Sequence, residues 1–242
     1  MNKHFAFNSP FDMVDNDRNE YILTVEQEDY SESPREWDNM CTMVCWHRRY
    51  NLGDKHNFDE PQDFWDWVEE NGGKENFCIV PLNLYDHSGL TISTSSGYPY
   101  NDRWDAGCVG FAYISKEKAI EELCAYVLDE NGERIKVEHK HEGNPSTWSY
   151  KTEPLTDETW RKRAEEMIDS EVETYDQYLR GDVYWFKLEK KIIVEDKCPH
   201  CGEVISTHTK WEEEDSCGGF YGDVLEENGI LDNIPSDINF VG

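Results

Sequence analysis

Two cysteines near the C-terminus have a spacing that can bind a metal. They stand in the motif Cys198-Pro-His-Cys201-Gly, between two segments with strand patterns. A tight turn lets two thiolates reach one Zn²⁺, and a tetrahedral site then needs two further ligands. His208 and Cys217 follow at suitable distances along the chain. The motif therefore predicts one structural zinc bound by these four residues; reduced free cysteines and a redox pair are the alternatives.

A second candidate site follows an apolar run. Asp86 and His87 come just after residues 77–84, and Asp105 precedes a second apolar run at 108–114. A histidine beside carboxylates suits acid–base catalysis. These residues support the alternative hypothesis of a small hydrolase acting on a nucleotide or signalling molecule. Adjacent loop residues point in different directions, so the preferred interpretation is a structural turn, and the enzyme question stays open, leaning towards a non-enzyme.

The net charge limits the kinds of molecule that the chain can bind. The chain has 23 Lys and Arg against 52 Asp and Glu, a formal net charge of −29. Such a surface repels nucleic acid and anionic lipid, because both are negatively charged. We therefore expect neither direct nucleic-acid binding nor a membrane partner, and expect the partner to be a basic protein, especially one with a nucleic-acid groove. Simple solubility or a salt-rich habitat is the alternative explanation.

The acidic residues concentrate on two segments with helical periodicity. One helix is predicted to start at Pro61 and end at about residue 70, and the longest is predicted over 156–180. An acidic helix face is usually just solvated, but it is also a candidate mimic of a phosphate backbone. The predicted partner-binding carboxylates are Asp63, Asp66, Glu70, Glu165, Glu166, Asp169, Glu173 and Asp176. Glu171 is assigned to the same solvated face.

The remaining patterns predict the fold class. Ser115 is predicted to cap a helix that runs to about residue 130, and strands are predicted over 182–194 and 204–211. The expected fold is α+β: a mostly antiparallel mixed sheet, about three packed helices, and a C-terminal β-hairpin that carries the knuckle. Residues 1–181 are expected to form the main domain. Residues 182–242 are expected to be an extension packed on the same core.

The hydropathy pattern bears on the compartment. No apolar run reaches the roughly 20 residues that a membrane-spanning helix needs, and the first residues contain no apolar signal segment. The expected location is the host cell cytosol. In that compartment the eight cysteines are thiols or metal ligands rather than disulfides.

Three short motifs are the basis of a resemblance to a group of other proteins. They read LYDHSG at 84–89, RWDAGCVGF at 103–111 and DSCGGFYG at 215–222. With these motifs the chain resembles a group of uncharacterised acidic proteins of bacteriophages and conjugative elements, over roughly residues 60–225. The resemblance implies a mobile-element origin. Small acidic proteins of such elements are often anti-defence inhibitors, which implies an anti-CRISPR or antirestriction protein that acts partly as a DNA mimic.

Overall fold

The computed structural model describes residues 10–87, 89–94, 106–141 and 144–241. Its strands and helices, in chain order, are β1 Phe11–Val14, β2 Glu20–Gln27, β3 Thr42–Cys45, α1 Pro61–Glu70, β4 Phe77–Asp86, β5 Leu90–Ser93, β6 Ala106–Ser115, α2 Lys116–Glu122, β7 Cys124–Tyr126, β8 Lys136–His141, β9 Asn144–Tyr150, β10 Thr152–Pro154, α3 Trp160–Arg180, β11 Val183–Lys197, β12 Val204–Tyr221 and β13 Asn239–Phe240. Short 3₁₀ helices lie at Pro34–Glu36, Lys74–Asn76 and Leu231–Asn233.

The contacts divide the chain into two compact units. Unit 1 consists of Met1–Pro34 and Gln177–Gly242, and unit 2 consists of Arg35–Asp176. The sequence interpretation placed a boundary after residue 181 and assigned the N-terminal segment to the main domain. In the structure β2 pairs with β11, and this pairing joins the N-terminal segment to the C-terminal one.

Unit 1 is built on a five-stranded antiparallel sheet in the order β12-β11-β2-β1-β13. Alternate residues of β2 face the core, as strand geometry requires: Tyr21, Leu23 and Val25 are buried. Phe186 and Leu188 of β11 lie in the same cluster. The C-terminal segment completes this core with Leu225, Ile230, Ile234 and Ile238.

The β11–β12 pair extends well beyond the rest of this sheet. Strand β2 pairs with β11 only from Tyr184 to Lys190, whereas β11 and β12 stay paired to the Lys197–Val204 register. Residues 191–211 therefore form a two-stranded arm, here called the ribbon, with residues 198–203 as its tip. Ile193 and Ile205 on the ribbon are 74% and 68% exposed. The predicted C-terminal hairpin is confirmed, and it is longer than predicted.

Unit 2 contains a four-stranded antiparallel sheet in the order β3-β6-β4-β5, with α1 packed on it through aromatic rings. Phe64 of α1 is fully buried. Its ring lies 5.5 Å from Phe111 and 5.5 Å from Tyr113, both on β6. Val44 and Phe77 belong to the same cluster. This aromatic core fixes the central strands that the sequence marked as two apolar runs.

Gly110 allows β6 to approach β3 closely. It pairs with Cys45, and a Cβ added at Gly110 would lie 2.8 Å from the Cys45 Cα atom. We expect Gly110→Ala to lower the free energy of unfolding by about 1–3 kcal/mol, because the strands must separate to admit the methyl group. Urea unfolding measures the change. Gly107→Ala is the matched control, since a Cβ there meets nothing within 4 Å; equal midpoints for both variants would contradict the expectation.

The helix predicted from Ser115 is only partly correct. The Ser115 hydroxyl does cap it, accepting the Lys118 N–H at 3.2 Å. The prediction that it continues to about residue 130 is wrong, since the helix ends at Glu122. The next residues form β7, which pairs with β10. Strand pairing from a distant segment overrides the helical periodicity of this stretch.

The α+β fold class is confirmed. The described residues contain three α-helices and mostly antiparallel strands, including the two strands of the C-terminal hairpin. The strands form two larger sheets and two small pairs, β10-β7 and β8-β9, rather than one mixed sheet. Among these residues no helix is both long enough and apolar enough to cross a membrane.

Candidate functional site

The Cys-Pro-His-Cys motif forms the turn at the tip of the ribbon. The Cys198 backbone N–H donates to the Glu203 carbonyl at 2.8 Å, and the Gly202 N–H donates back to the Cys198 carbonyl at 2.9 Å. Gly202 has φ +77°, which favours glycine. The turn therefore places two thiols side by side at the far end of an exposed arm, Cys198 half-buried and Cys201 exposed.

The backbone of the turn favours a thiolate at Cys198. Hydrogen bonds from the backbone N–H groups of Cys201 and His200 lower the pKa of the Cys198 thiol. The Cys201 Sγ atom lies 3.7 Å from the Glu203 carboxylate, to which it donates. Two adjacent thiols, one of them stabilised as a thiolate, provide half of a tetrahedral zinc site.

The other two predicted zinc ligands lie elsewhere on β12. His208 pairs with Val194, and its Nδ1 atom is 3.3 Å from the Asp196 carboxylate. Cys217 pairs with Phe186, eleven residues from Lys197 along β11, which is roughly 35 Å at the rise of a strand. Within the described part of the chain, no group of three or more His, Cys, Asp or Glu is arranged to bind a metal. The predicted four-residue set is therefore not brought together.

The buried cysteines of unit 2 have a different chemistry. Burial raises the pKa of Cys45 to about 12 and that of Cys78 to about 11, and it also raises the pKa of Cys41. At neutral pH a thiol with a pKa near 11 carries roughly 300-fold less thiolate than an ordinary one near 8.5. These cysteines are packing residues, as predicted for Cys41 and Cys45.

Alkylation tests this difference. We expect iodoacetamide at neutral pH to modify Cys45 and Cys78 of the folded chain at least about 100-fold more slowly than exposed Cys108 and Cys217, because only the thiolate reacts. Peptide mass spectrometry after timed quenching gives the rates. The unfolded chain in urea is the control, and there all sites should react alike. Comparable rates in the folded chain would contradict the burial.

The structure describes two of the three predicted catalytic residues, Asp86 and His87. Asp86, at the end of β4, forms an ion pair with Arg49. The His87 ring is tilted against Tyr85, with 5.9 Å between the ring centres. Asp105 lies outside the described residues. The Asp86 carboxylate is therefore engaged by a cation, and the hydrolase hypothesis stays a prediction.

Unit 2 has a cavity of about 610 Å³ beside the start of α2. Trp67, Phe77 and Tyr113 line its apolar side, and Asn71 and Asn76 contribute amides. Burial raises the pKa of Tyr113, so this phenol stays neutral at physiological pH. The cavity is of ligand size, and among the described residues neither predicted catalytic group, Asp86 or His87, lines it.

Several carboxylates of α3 are used inside unit 2. Asp169 accepts a hydrogen bond from the Thr94 hydroxyl at 2.7 Å, and Asp176 accepts the Ile92 backbone N–H at 2.7 Å. Glu166 forms an ion pair with Arg163 at 3.2 Å. Glu165 and Glu173 are exposed. Asp169 and Asp176 therefore have a structural role, while Glu166 and Asp169 are exposed as well.

Glu171 does not lie on a solvated face, contrary to the sequence interpretation. Its carboxylate accepts the backbone N–H groups of Met40 and Cys41 at 2.7 and 3.2 Å, and the Arg35 guanidinium at 3.2 Å. Arg35 also makes a bidentate contact with Asp54, at 2.9 and 2.7 Å. The side chain of Arg35 is only 5% exposed. This network is a partly buried structural cluster, and sequence periodicity alone placed Glu171 wrongly.

The predicted acidic residues of α1 also differ in their roles within the structure. Asp63 accepts the backbone N–H groups of Asp59 and Glu60, at 2.9 and 3.1 Å, and so caps the helix. Asp66 accepts the Gln62 amide at 2.7 Å and stays exposed, as does Glu70. All three predicted residues of α1 are exposed, and Asp63 also has a structural role as the helix cap.

The structure shows a further acidic surface that sequence reasoning missed. Glu212, Glu213, Glu214 and Asp215 form a run at residues 212–215, here called the acidic segment. All four are exposed on β12, the edge strand of the unit 1 sheet. Glu213 pairs directly with Glu189 of β11. The clue in the sequence was the absence of any glycine, proline or asparagine from residue 203 to residue 217.

Family models, curated proteins and solved structures were compared with the chain, and none of them matches it.

Proposed function

We propose that the chain is an acidic binding protein that inhibits a host defence nuclease, of CRISPR or restriction type, by occupying its basic nucleic-acid groove. The observation that carries this proposal is the acidic segment, four consecutive carboxylates exposed on an edge strand. The resemblance to proteins of bacteriophages and conjugative elements supplies the class of target. The proposed site of action is the cytosol of the host cell.

Electrostatic repulsion within the acidic segment destabilises the folded chain. Glu213 and Glu189 lie directly opposite each other, and like charges in a cross-strand pair are destabilising. Lys187 and Lys210 relieve this repulsion in part, with ion pairs to Glu189 at 3.1 Å and to Glu212 at 3.4 Å. A basic partner surface would relieve the rest. Binding to a cationic groove would remove this repulsion, and the relief would add to the free energy of binding.

The spacing of the acidic segment suits phosphate mimicry. Residues of a β-strand advance about 3.4 Å each, and phosphates of one DNA strand advance about 3.4 Å per nucleotide along the axis. The register between β11 and β12 shifts at Leu188–Glu189, so Glu214 is an extra residue in a β-bulge. A bulge changes the direction of side chains and interrupts their strict alternation between faces. The run thus resembles four phosphates in its axial spacing.

The surrounding charge extends the negative surface. Unit 1 has 8 basic and 22 acidic residues, a net charge of −14 over 100 residues, so its field has one dominant sign. Unit 2 adds Asp66, Glu70, Glu165 and Glu173 as exposed carboxylates. A field of this kind accelerates encounter with a basic protein and excludes nucleic acid.

Retention from a bacterial lysate tests the proposal. The immobilised chain should retain a nuclease at low salt and release it both at high salt and on addition of a duplex DNA competitor. Salt alone would release any weakly bound cationic protein, so elution by duplex at constant ionic strength is the decisive step. If the retained proteins do not include a nuclease that duplex DNA can elute, the proposed function is wrong.

A further inference from the structure

We propose that the tip of the ribbon is one half of a zinc site that a second copy of this chain completes. In this site one Zn²⁺ is bound by four sulfur atoms, those of Cys198 and Cys201 from each of two copies. The inference concerns a site in unit 1 that is separate from the acidic segment, and it does not depend on the proposed inhibition.

The tip already has the form of a metal-binding turn. Two backbone hydrogen bonds close it, between Cys198 and Glu203 and between Gly202 and Cys198, at 2.8 and 2.9 Å. Gly202 supplies the positive φ of +77° that the turn requires. Both thiols therefore project from one rigid turn, and a tetrahedral zinc accepts two cysteines from such a turn.

Among the residues that the structure describes, no group of three or more His, Cys, Asp or Glu is arranged to complete the site at the tip. His208 lies four residues along β12 from Val204, roughly 13 Å at the rise of a strand, and its ring contacts Asp196. Zinc–nitrogen and zinc–sulfur bonds are about 2.0–2.3 Å long, so His208 cannot share a metal with the tip. Cys217 is roughly 35 Å away along the ribbon. The proposal therefore assigns the other two ligands to sulfur atoms of a second molecule.

The ribbon gives a second copy room to approach. Beyond Lys190 the two strands pair only with each other within the sheet. Cys201 is exposed, and so are Pro199 and His200 beside it. A two-fold axis through the metal brings two identical tips together, and each tip then supplies the same pair of ligands. In this closed arrangement two identical pairs of cysteines supply the four ligands that a tetrahedral zinc needs.

Apolar side chains next to the tip favour a second copy over a small ligand. Ile193 and Ile205 are 74% and 68% exposed, and Val204 is also exposed. An isolated two-stranded ribbon is marginally stable in water. Two ribbons joined at their tips would cover these side chains. The metal and this apolar contact together would stabilise an arm that is otherwise poorly supported.

Assembly involves a simple proton balance. Four thiols lose four protons to solvent as they bind one Zn²⁺, which gives a tetrathiolate complex with net charge −2. No redox step takes place. Each copy carries a formal charge of −29, so the two copies repel each other, and added salt should strengthen the dimer by screening. Binding to a basic nuclease should respond to salt in the opposite direction.

Zinc titration of the reduced, metal-free chain tests the proposal. We expect binding to saturate at half an equivalent of Zn²⁺ per chain, with conversion of monomer to dimer in sedimentation velocity at the same point. Co²⁺ in place of zinc should give the sulfur-to-metal charge-transfer bands of a tetrathiolate site. The double variant Cys198→Ser with Cys201→Ser should lose both binding and dimerisation.

Matched variants distinguish the site shared by two copies from the predicted site within one chain, which would also use His208 and Cys217. Cys217→Ser and His208→Ala should keep the half-equivalent stoichiometry and the dimer, whereas a site within one chain would lose its metal in both. One zinc per monomer, with Glu203 or water as the remaining ligands, would overturn the proposal. So would the absence of zinc binding at micromolar metal. Thermal unfolding of the double variant checks that the loss is not due to misfolding.

Discussion

Replacing Arg35 with methionine is expected to lower the free energy of unfolding by about 3–5 kcal/mol, the largest effect of any single substitution considered. Arg35 is almost fully buried and forms ion pairs with Asp54 at 2.7 Å and Glu171 at 3.2 Å. It also donates to the Cys41 carbonyl at 2.8 Å. Methionine fills a similar volume but leaves two carboxylates in a poorly solvated site without their cation.

The electrostatics of this cluster explain the magnitude. Burial alone would lower the pKa of Arg35, but the hydrogen bond with Asp54 and the nearby negative charges, including Glu171, raise it overall. The guanidinium therefore stays charged at every accessible pH. Its removal also loosens the 3₁₀ helix Pro34–Glu36 from the loop before β3, since Glu171 accepts backbone N–H groups in that loop.

Urea unfolding followed by near-ultraviolet circular dichroism measures the effect. Arg49→Met is the matched control, because Arg49 forms an exposed ion pair with Asp86 and should contribute less than about 1 kcal/mol. Adding Glu171→Gln to the Arg35 variant should recover part of the loss, since it removes one uncompensated charge. An Arg35 variant within 1 kcal/mol of the wild type would show that the cluster is solvated in solution.

Neutralising the acidic segment is expected to have the largest effect on binding. With Glu212, Glu213 and Glu214 changed to Gln and Asp215 changed to Asn, association with the target nuclease should slow about 10- to 100-fold at low salt. The four side chains keep their size and only the charge is lost. The salt dependence of the binding constant should become shallower as well, because fewer ionic contacts form.

A second quadruple variant is the control for net charge. Glu226, Glu227, Asp232 and Asp237 are exposed in unit 1 and lie outside the ribbon. Their neutralisation changes the net charge by the same amount, and we expect less than a threefold loss in rate. Equal losses for the two variants would show that only the total charge matters and that the acidic segment is not the contact surface.

The sequence predicted those elements whose signals are local. Pro61 after two acidic residues started α1 where expected, and Gly181 ended α3. Apolar runs located the central strands β4 and β6, since these strands are buried by α1 and its aromatic rings. Each of these signals depends on neighbouring residues alone, so no knowledge of the partner segments was needed.

The sequence predictions failed where contacts with segments distant in the chain determine the local structure. Residues after Glu122 have helical periodicity, yet they pair with β10 in the structure. Glu171 has the sequence context of a solvated residue, but Arg35, more than a hundred positions away, makes it a partly buried ligand. The acidic segment has low strand propensity, and pairing with β11 holds it extended. Spacing in sequence also grouped Cys217 with the knuckle, although a long ribbon separates them.

Competition with DNA tests the central claim most directly. A fluorescent duplex bound to the nuclease retained from lysate is titrated with the wild-type chain, and its anisotropy reports how much remains bound. An inhibitor that occupies the nucleic-acid groove should displace the duplex completely, with an apparent affinity that weakens steeply as salt increases. A ternary complex, in which the duplex stays bound while the chain saturates the enzyme, would contradict the account.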